Sequence, residues 1–166
     1  DLDHAERLRT ADVDGDGDDD LIVVCNEQDQ SKIFFQDATG SFGDPVLVGD
    51  TLVDTRDIQV GDLDKDGYRD LVFANDGPNH IVYGTGTQTF AATPEVLPTP
   101  PDGGSDTRTV TLADLNGDAL LELLFGNYYA TDVLHENLGS RTYVEHLFGA
   151  EVLDTKVVRV ADMDGD

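Results

Sequence analysis

The chain has 166 residues, with 35 acidic against 10 basic side chains and a formal net charge of −25 at pH 7. That charge excludes nucleic acid and anionic membrane surfaces as natural partners and makes cations the expected counterions. A single cysteine, Cys25, excludes an internal disulfide framework, and no apolar stretch approaches the 18 residues of a membrane-spanning helix.

In chain order, Leu8-Arg9-Thr10-Ala11 alternates with period two and predicts a strand. It runs into the acidic loop Asp12-Val13-Asp14-Gly15-Asp16-Gly17-Asp18-Asp19-Asp20. The run Leu21-Ile22-Val23-Val24-Cys25 follows; it is too short for a core helix and reads as a strand buried on both faces, with Cys25 as a structural thiol. Asn26 heads a polar turn, Lys32-Ile33-Phe34-Phe35 a third strand, and Asp37 to Gly40 a glycine turn; Phe42 then marks the start of a weaker fourth strand.

The second unit repeats this order: Ile58-Gln59-Val60-Gly61, the loop Asp62-Leu63-Asp64-Lys65-Asp66-Gly67-Tyr68-Arg69-Asp70, the run Leu71-Val72-Phe73-Ala74, Asn75, His80-Ile81-Val82-Tyr83, the turn Gly84 to Gly86, and Phe90. Pro94 to Gly104, holding four of the six prolines, reads as a long loop between units. The third unit has Val110-Thr111-Leu112-Ala113, the loop Asp114-Leu115-Asn116-Gly117-Asp118-Ala119-Leu120-Leu121-Glu122, Leu123-Leu124-Phe125-Gly126, Asn127, Asp132-Val133-Leu134-His135, the turn Asn137 to Gly139, and Tyr143. A fourth begins with Val158-Arg159-Val160-Ala161 and Asp162-Met163-Asp164-Gly165-Asp166.

The leading aspartates Asp12, Asp62, Asp114 and Asp162 stand 50, 52 and 48 residues apart, a period belonging to stacked supersecondary units. Four short antiparallel strands in about 50 residues, without helical periodicity, describe a propeller blade. The expected fold is all-β: a β-propeller fragment of about three four-stranded antiparallel blades plus the first strand of a fourth. The blades would span roughly 4–50, 54–100 and 106–150, with the fourth opening at about 154–166.

Crowded carboxylates demand a counterion: at about 5 Å and an effective dielectric near 20, each pair costs roughly 3 kcal/mol. Ca²⁺ accepts six to eight oxygens and suits this spacing. Positions 1, 3 and 5 supply side-chain oxygens from Asp12, Asp14 and Asp16, from Asp62, Asp64 and Asp66, and from Asp114, Asn116 and Asp118. Position 6 is a tight turn at Gly17, Gly67 or Ala119; position 7 offers the carbonyl of Asp18, Tyr68 or Leu120; position 9 closes the site with Asp20, Asp70 or Glu122. The first two loops meet every requirement, so two calcium sites are expected. In the third, Ala119 at a positive φ would cost about 1 kcal/mol, which makes it the weaker candidate. The fourth stops at its third ligand. A helix-loop-helix calcium site needs a bidentate Glu at position 12, where Val23, Phe73 and Phe125 stand instead. The expected role of the ion is structural, holding the hairpin closed.

The pattern D-x-[DN]-x-D-[GA]-x-x-[DE], followed by Leu and an apolar strand and then a trailing aromatic after a glycine turn, resembles the FG-GAP or VCBS-type repeats of integrin α-subunit-like β-propellers. The resemblance implies that the loops join the first two strands of each blade on one face, and that ligands meet the opposite face or the clefts between blades. Closed propellers of this type usually have seven blades, which makes the chain read as part of a longer one whose remaining blades are its neighbours. It also implies an extracellular or cell-surface setting and a non-enzymatic recognition or adhesion role toward protein or carbohydrate, with no nucleic acid and no membrane insertion. Carried onto this sequence, the ligand face comprises the turns at 26–30, 75–79 and 127–130 and the loops near 51–55, 98–106 and 151–155, with Tyr128 and Tyr129 as an adjacent aromatic pair suited to stacking on sugars. The alternative is the propeller part of a carbohydrate-active enzyme such as a polysaccharide lyase, which needs a base such as His80 or His135 beside an Arg. The four histidines His4, His80, His135 and His146 share no repeat position, and read as ordinary surface or inter-strand residues. The recurring triplets Asp54-Thr55-Arg56, Asp106-Thr107-Arg108 and Asp154-Thr155-Lys156 read as structural contacts between blades.

Overall fold

Strand β1 (Ala5–Ala11) pairs antiparallel with β2 (Asp20–Cys25), placing Ala11 opposite Asp20, so the first acidic loop is the hairpin between them. β3 (Ser31–Phe34) and β4 (Val46–Val48) complete a four-stranded sheet in sequential order. The computed structural model describes residues 5–26, 29–49, 53–98, 106–161 and 163, and among these there is no helix.

The second sheet is built alike from β5 (Asp54–Gly61), β6 (Asp70–Asp76) and β7 (His80–Val82). Its fourth strand arrives late. The chain first makes a small side hairpin of β8 (Gly84–Gly86) and β9 (Thr89–Phe90), and only then returns as β10 (Glu95–Val96) to pair with β7. The outer strands of the first two blades therefore do not start at their aromatics. Phe42 bridges Gln36, and Phe90 ends the β8–β9 hairpin. Part of the proline-rich segment read as a loop is strand: Leu97 beside β10 is buried, and its N–H donates to the Asn79 carbonyl at 2.9 Å. The rest of that segment, residues 99–104, lies outside the described residues.

In the third sheet β11 (Thr107–Ala113) pairs with β12 (Glu122–Asn137), and β12 with β13 (Tyr143–Asp154). The sixteen residues of β12 are not straight. Four extended residues span about 13 Å, yet the Asn127 side-chain amide donates to the Thr131 carbonyl at 2.6 Å, and the Phe125 and His135 ring centroids are 5.6 Å apart. The chain doubles back at 127–132, with Tyr129 at φ 49, so β12 supplies the second and third strands of the blade. Here Tyr143 does open the outer strand, opposite Asn137.

Val158 to Ala161, expected as the first strand of a fourth blade, is not a strand. In each complete blade that strand is held by the one following the acidic loop, and no such partner is present for it among the described residues. The segment is instead tied to blade 3, where the Thr155 N–H donates to the Asn127 carbonyl (3.0 Å) and the Thr111 hydroxyl to the Val158 carbonyl (2.8 Å).

The continuous apolar runs are explained by two cores, one on each side of the middle sheet. Leu71 and Phe73 of β6 face blade 1 with Ile22, Val24 and Ile33. Their neighbours Val72 and Ala74 face blade 3 with Val110, Leu123 and Phe125. Because side chains alternate across a strand, a sheet packed on both faces has no polar side to show in its central strands. Cys25 is a buried free thiol, as read from the sequence.

One buried carboxylate links all three blades. Asp57 in β5 is fully buried and accepts from the Arg9 guanidinium at 2.8–3.0 Å and from Arg7 at 2.9 Å, both on β1. On the other side it accepts from the Thr109 hydroxyl at 3.1 Å and the Val110 N–H at 3.3 Å, both on β11. The threonines of the recurring triplets form a second seam. Thr107 donates to Asn127 Oδ1 (2.8 Å) in its own blade and accepts from the Asn79 amide (2.9 Å) of the blade before; Thr155 likewise donates to Asp132 (2.8 Å). Asp57→Ala leaves the buried Thr109 hydroxyl and Val110 N–H without their acceptor and two partly exposed arginines without a counter-charge, and urea denaturation should show a loss of about 2–3 kcal/mol; a loss below about 1 kcal/mol would remove Asp57 as the clamp.

Candidate metal centre

The acidic loops share one backbone path, written by side chains that turn back on their own N–H groups. In loop 1, Asp12 Oδ1 accepts from Gly15 N–H (2.8 Å), Asp14 Oδ1 from Asp16 N–H (3.2 Å) and Asp16 Oδ1 from Asp18 N–H (2.9 Å). Loop 2 repeats the last two as Asp64 to Asp66 (3.2 Å) and Asp66 to Tyr68 (2.9 Å), and Asp62 Oδ2 accepts from Gly67 N–H (3.2 Å). Such Asx turns coil the chain so that alternate side chains converge. The coil requires a positive φ at position 6, met by Gly17, Gly67 and Ala119 (φ 69), and also at position 4, met by Gly15, Lys65 (φ 62) and Gly117. The second requirement escaped sequence reasoning.

Two carboxylate triads result. Oxygens of Asp12, Asp14 and Asp16 lie within 4.8 Å of one another, as do those of Asp62, Asp64 and Asp70. The two sets differ at position 9. Both oxygens of Asp20 are engaged, accepting from Val13 N–H (2.9 Å) and Gln36 N–H (2.9 Å), and Asp20 is not in the first triad. Asp70 makes the matching bonds to Leu63 N–H (2.7 Å) and Gly84 N–H (2.9 Å) but also joins the second triad. Position 9 thus staples the loop to the end of the third strand as well as closing it.

The electrostatics of loop 2 favour a cation. Burial pushes the Asp70 carboxyl up to about 6, against the two N–H bonds, with Asp64 and Asp66 adding repulsion. Asp20 is raised for the same first reason, burial. Among the described residues Asp62 Oδ1 is buried without a hydrogen-bond partner. A carboxylate oxygen left unpaired beside two other carboxylates is the arrangement a hard cation satisfies, so the residues of loop 2 fit the ion that the spacing implies.

Loop 3 holds the same turns without the same convergence. Asp114 accepts from Gly117 N–H (2.7 Å) and Ala119 N–H (3.0 Å), and Asp118 is taken up by the Asn116 amide (3.0 Å) and Leu120 N–H (2.8 Å). Glu122 Oε2 accepts from Leu115 N–H (2.7 Å), while its buried Oε1 has no hydrogen-bond partner among the described residues. Asp114, Asp118 and Glu122 do not gather into a third triad. Residues 162 and 164–166 of the fourth loop lie outside the described residues. Tyr68 stands exposed, and its backbone N–H is turned to Asp66.

At the opposite ends of β1, β5 and β11, some seven residues and hence about 20 Å from the loops, the early residues of the first strands line a cavity of about 390 Å³. Arg7, Arg56, Arg108 and Lys156 contribute to it, with Glu6, Asp154 and Tyr128. Each cation has a carboxylate partner: Arg7 pairs with Asp57 (2.9 Å), Arg56 with Asp76 (3.1 Å), Arg108 with Asp106 (2.7 Å) and Lys156 with Asp154 (3.7 Å). The Arg108 guanidinium lies 4.5 Å over the Tyr128 ring, and Tyr128 meets Tyr129 edge-on at 4.3 Å, leaving Tyr129 67% exposed. Asn75 and Asn127, heads of the turns read as a ligand face, are buried and bonded to Thr55 (3.0 Å) and Thr107 (2.8 Å), so they shape the turns from within. Residues 27–28, 51–52 and 99–105 of that face and His4 lie outside the described residues, as do the side chains of 151–153. His80 stacks on Phe73 at 4.5 Å and His135 is buried against Phe125, where desolvation holds its imidazole down to about 4; His146 is exposed and contacts Glu136 at 2.8 Å.

The left-handed conformation at Ala119 predicts a direct outcome. Ala119→Gly should raise stability by about 1 kcal/mol in thermal unfolding, and a decrease would contradict the backbone path assigned to loop 3.

A family model described as FG-GAP-like repeat matches residues 12–73 and, in a second overlapping copy, residues 62–125. Comparison with curated proteins finds no match.

Proposed function

Because the chain belongs to the FG-GAP-like repeat family, we propose that this propeller-type scaffold is a calcium-stabilised recognition module working outside the cell, where millimolar calcium fills weak sites. The observation that carries the reading is the second triad, in which Asp62, Asp64 and Asp70 converge while Asp62 Oδ1 is buried and unbonded among the described residues. Asp12, Asp14 and Asp16 form the first site, completed by the Asp18 backbone; Asp66 and Tyr68 stand in the matching places of the second. Loop 3, through Asp114, Asn116, Asp118, Leu120 and Glu122, is a weaker site. The ion is structural, and catalysis is not its role.

Recognition is assigned to the end opposite the loops. Arg7, Arg56, Arg108 and Lys156 stand around Tyr128 in a recess that Glu6 and Asp154 also line, and a ligand carboxylate can replace their protein partners, which favours a carboxylate-bearing glycan over a neutral one, with the aromatic pair against the sugar face. Phe148 and Val157 stand exposed and line one cavity of blade 3, and further blades of the same chain are the partners we assign to them.

Two filled sites at ten times their dissociation constants contribute about 3 kcal/mol. Calcium should therefore raise the melting temperature by several degrees and a chelator reverse it, with most of the gain lost in Asp12→Ala combined with Asp62→Ala; a melting temperature indifferent to calcium would end the metal assignment. On a glycan array, uronate-bearing glycans should bind and Arg108→Ala should weaken them, with no unsaturated sugar ends formed. Preference for neutral glycans contradicts the recess, and accumulating unsaturated product contradicts the non-enzymatic reading.

A further inference from the structure

Each acidic triad is touched by the next blade at the same atom. Gln88, in the β8–β9 turn of blade 2, donates its side-chain amide to Asp14 Oδ2 of loop 1 at 2.6 Å. Arg141, in the turn before β13 of blade 3, donates through Nε at 2.8 Å and through its terminal nitrogen at 2.7 Å to Asp64 Oδ2 of loop 2. Both acceptors are position 3 of their loops. Both donors stand two residues before the trailing aromatic, Phe90 or Tyr143, and both have a φ of 59, the left-handed turn position that aims a side chain back across the blade interface. The corresponding residue of blade 1 is Gly40, which has no side chain to donate.

The two oxygens of position 3 are divided by this contact. Oδ1 faces its own loop, accepting from Asp16 N–H or Asp66 N–H, both at 3.2 Å, while Oδ2 faces the neighbour. A carboxylate held at both oxygens has its rotation fixed, which holds position 3 in its triad. Arg141 is itself placed, with its guanidinium 3.8 Å over the Tyr83 ring, and Tyr83 is buried in the core between blades 2 and 3.

We infer that Gln88 and Arg141 are positioning residues for the cation sites of the preceding blades, so that ion binding in a loop and stacking of the next blade strengthen each other. The inference rests on the calcium reading of the loops. It does not reduce to charge, because neutral Gln88 does at loop 1 what cationic Arg141 does at loop 2; guanidinium charge alone would oppose a cation and its removal would tighten binding. Outer-sphere partners of metal ligands are worth roughly ten- to hundredfold in affinity, and coupling of this kind is reciprocal.

The test is calcium titration by calorimetry on the whole chain, with loop 1 silenced by Asp12→Ala and loop 3 by Asp114→Ala so that loop 2 is read alone. Arg141→Ala should then weaken calcium binding about tenfold, whereas Arg141→Gln, which restores the donor that blade 2 uses, should stay within about threefold of the parent. The mirror pair, Asp62→Ala with Asp114→Ala, with and without Gln88→Ala, reads loop 1 and does not depend on Arg141 variants folding; the same tenfold loss is expected. Unchanged or tighter binding in Arg141→Ala or Gln88→Ala overturns the inference while leaving the calcium sites standing. If neither parent takes up calcium, the proposed function fails and the inference with it.

Discussion

Carboxylates crowded into a short hairpin set the terms for the whole structure. Each pair within about 5 Å costs roughly 3 kcal/mol at an intermediate dielectric, and the chain answers by giving many of the oxygens an N–H to accept from. Asx turns consume Asp14, Asp16, Asp64 and Asp66; position 9 is drawn into the third strand; position 3 is met by the next blade. Among the described residues Glu122 Oε1 in loop 3 stays buried without a partner, and so does Asp62 Oδ1 in loop 2. An unsatisfied oxygen beside two others is a demand for a cation that hydrogen bonding alone leaves unmet.

The same loops position everything else. By closing the hairpin between the first two strands of each blade they set the register that sends Leu71 and Phe73 to one core and Val72 and Ala74 to the other. Stacking then depends on contacts near the two ends of the first strands: the loop-side contacts of Gln88 and Arg141, and the Asp57 clamp with the threonine seam toward the other end. The polar seams add direction to two apolar cores that would otherwise allow sheets to slide.

What the sequence revealed was what repeats. The acidic loops, the strands that flank them and the all-β class were legible because position 1, position 9 and the apolar run recur with one period. The contacts between blades were not, since an interface needs complementary residues where a repeat shows equivalent ones: Arg7, Asp57 and Thr109 occupy one repeat position and are three different chemistries joined to each other. Gly40, Gln88 and Arg141 conceal the loop-side contact in the same way. The outer strands were misplaced for another reason, being two or three residues long in the first two blades, too short to carry a period. The bent β12 keeps its expected turn with the help of the Asn127 N–H bond to Asp132, which the matching Asn75 and Asn79 had in principle announced.

The central claim is that loops 1 and 2 hold ions between the named carboxylates. Crystals grown with calcium or a lanthanide substitute, measured near an absorption edge of the metal, address it most directly. The account predicts anomalous peaks among Asp12, Asp14 and Asp16 and among Asp62, Asp64 and Asp70, each within ligand distance of the position 3 oxygen that faces its own loop. Strong metal peaks elsewhere with both loops empty would contradict it.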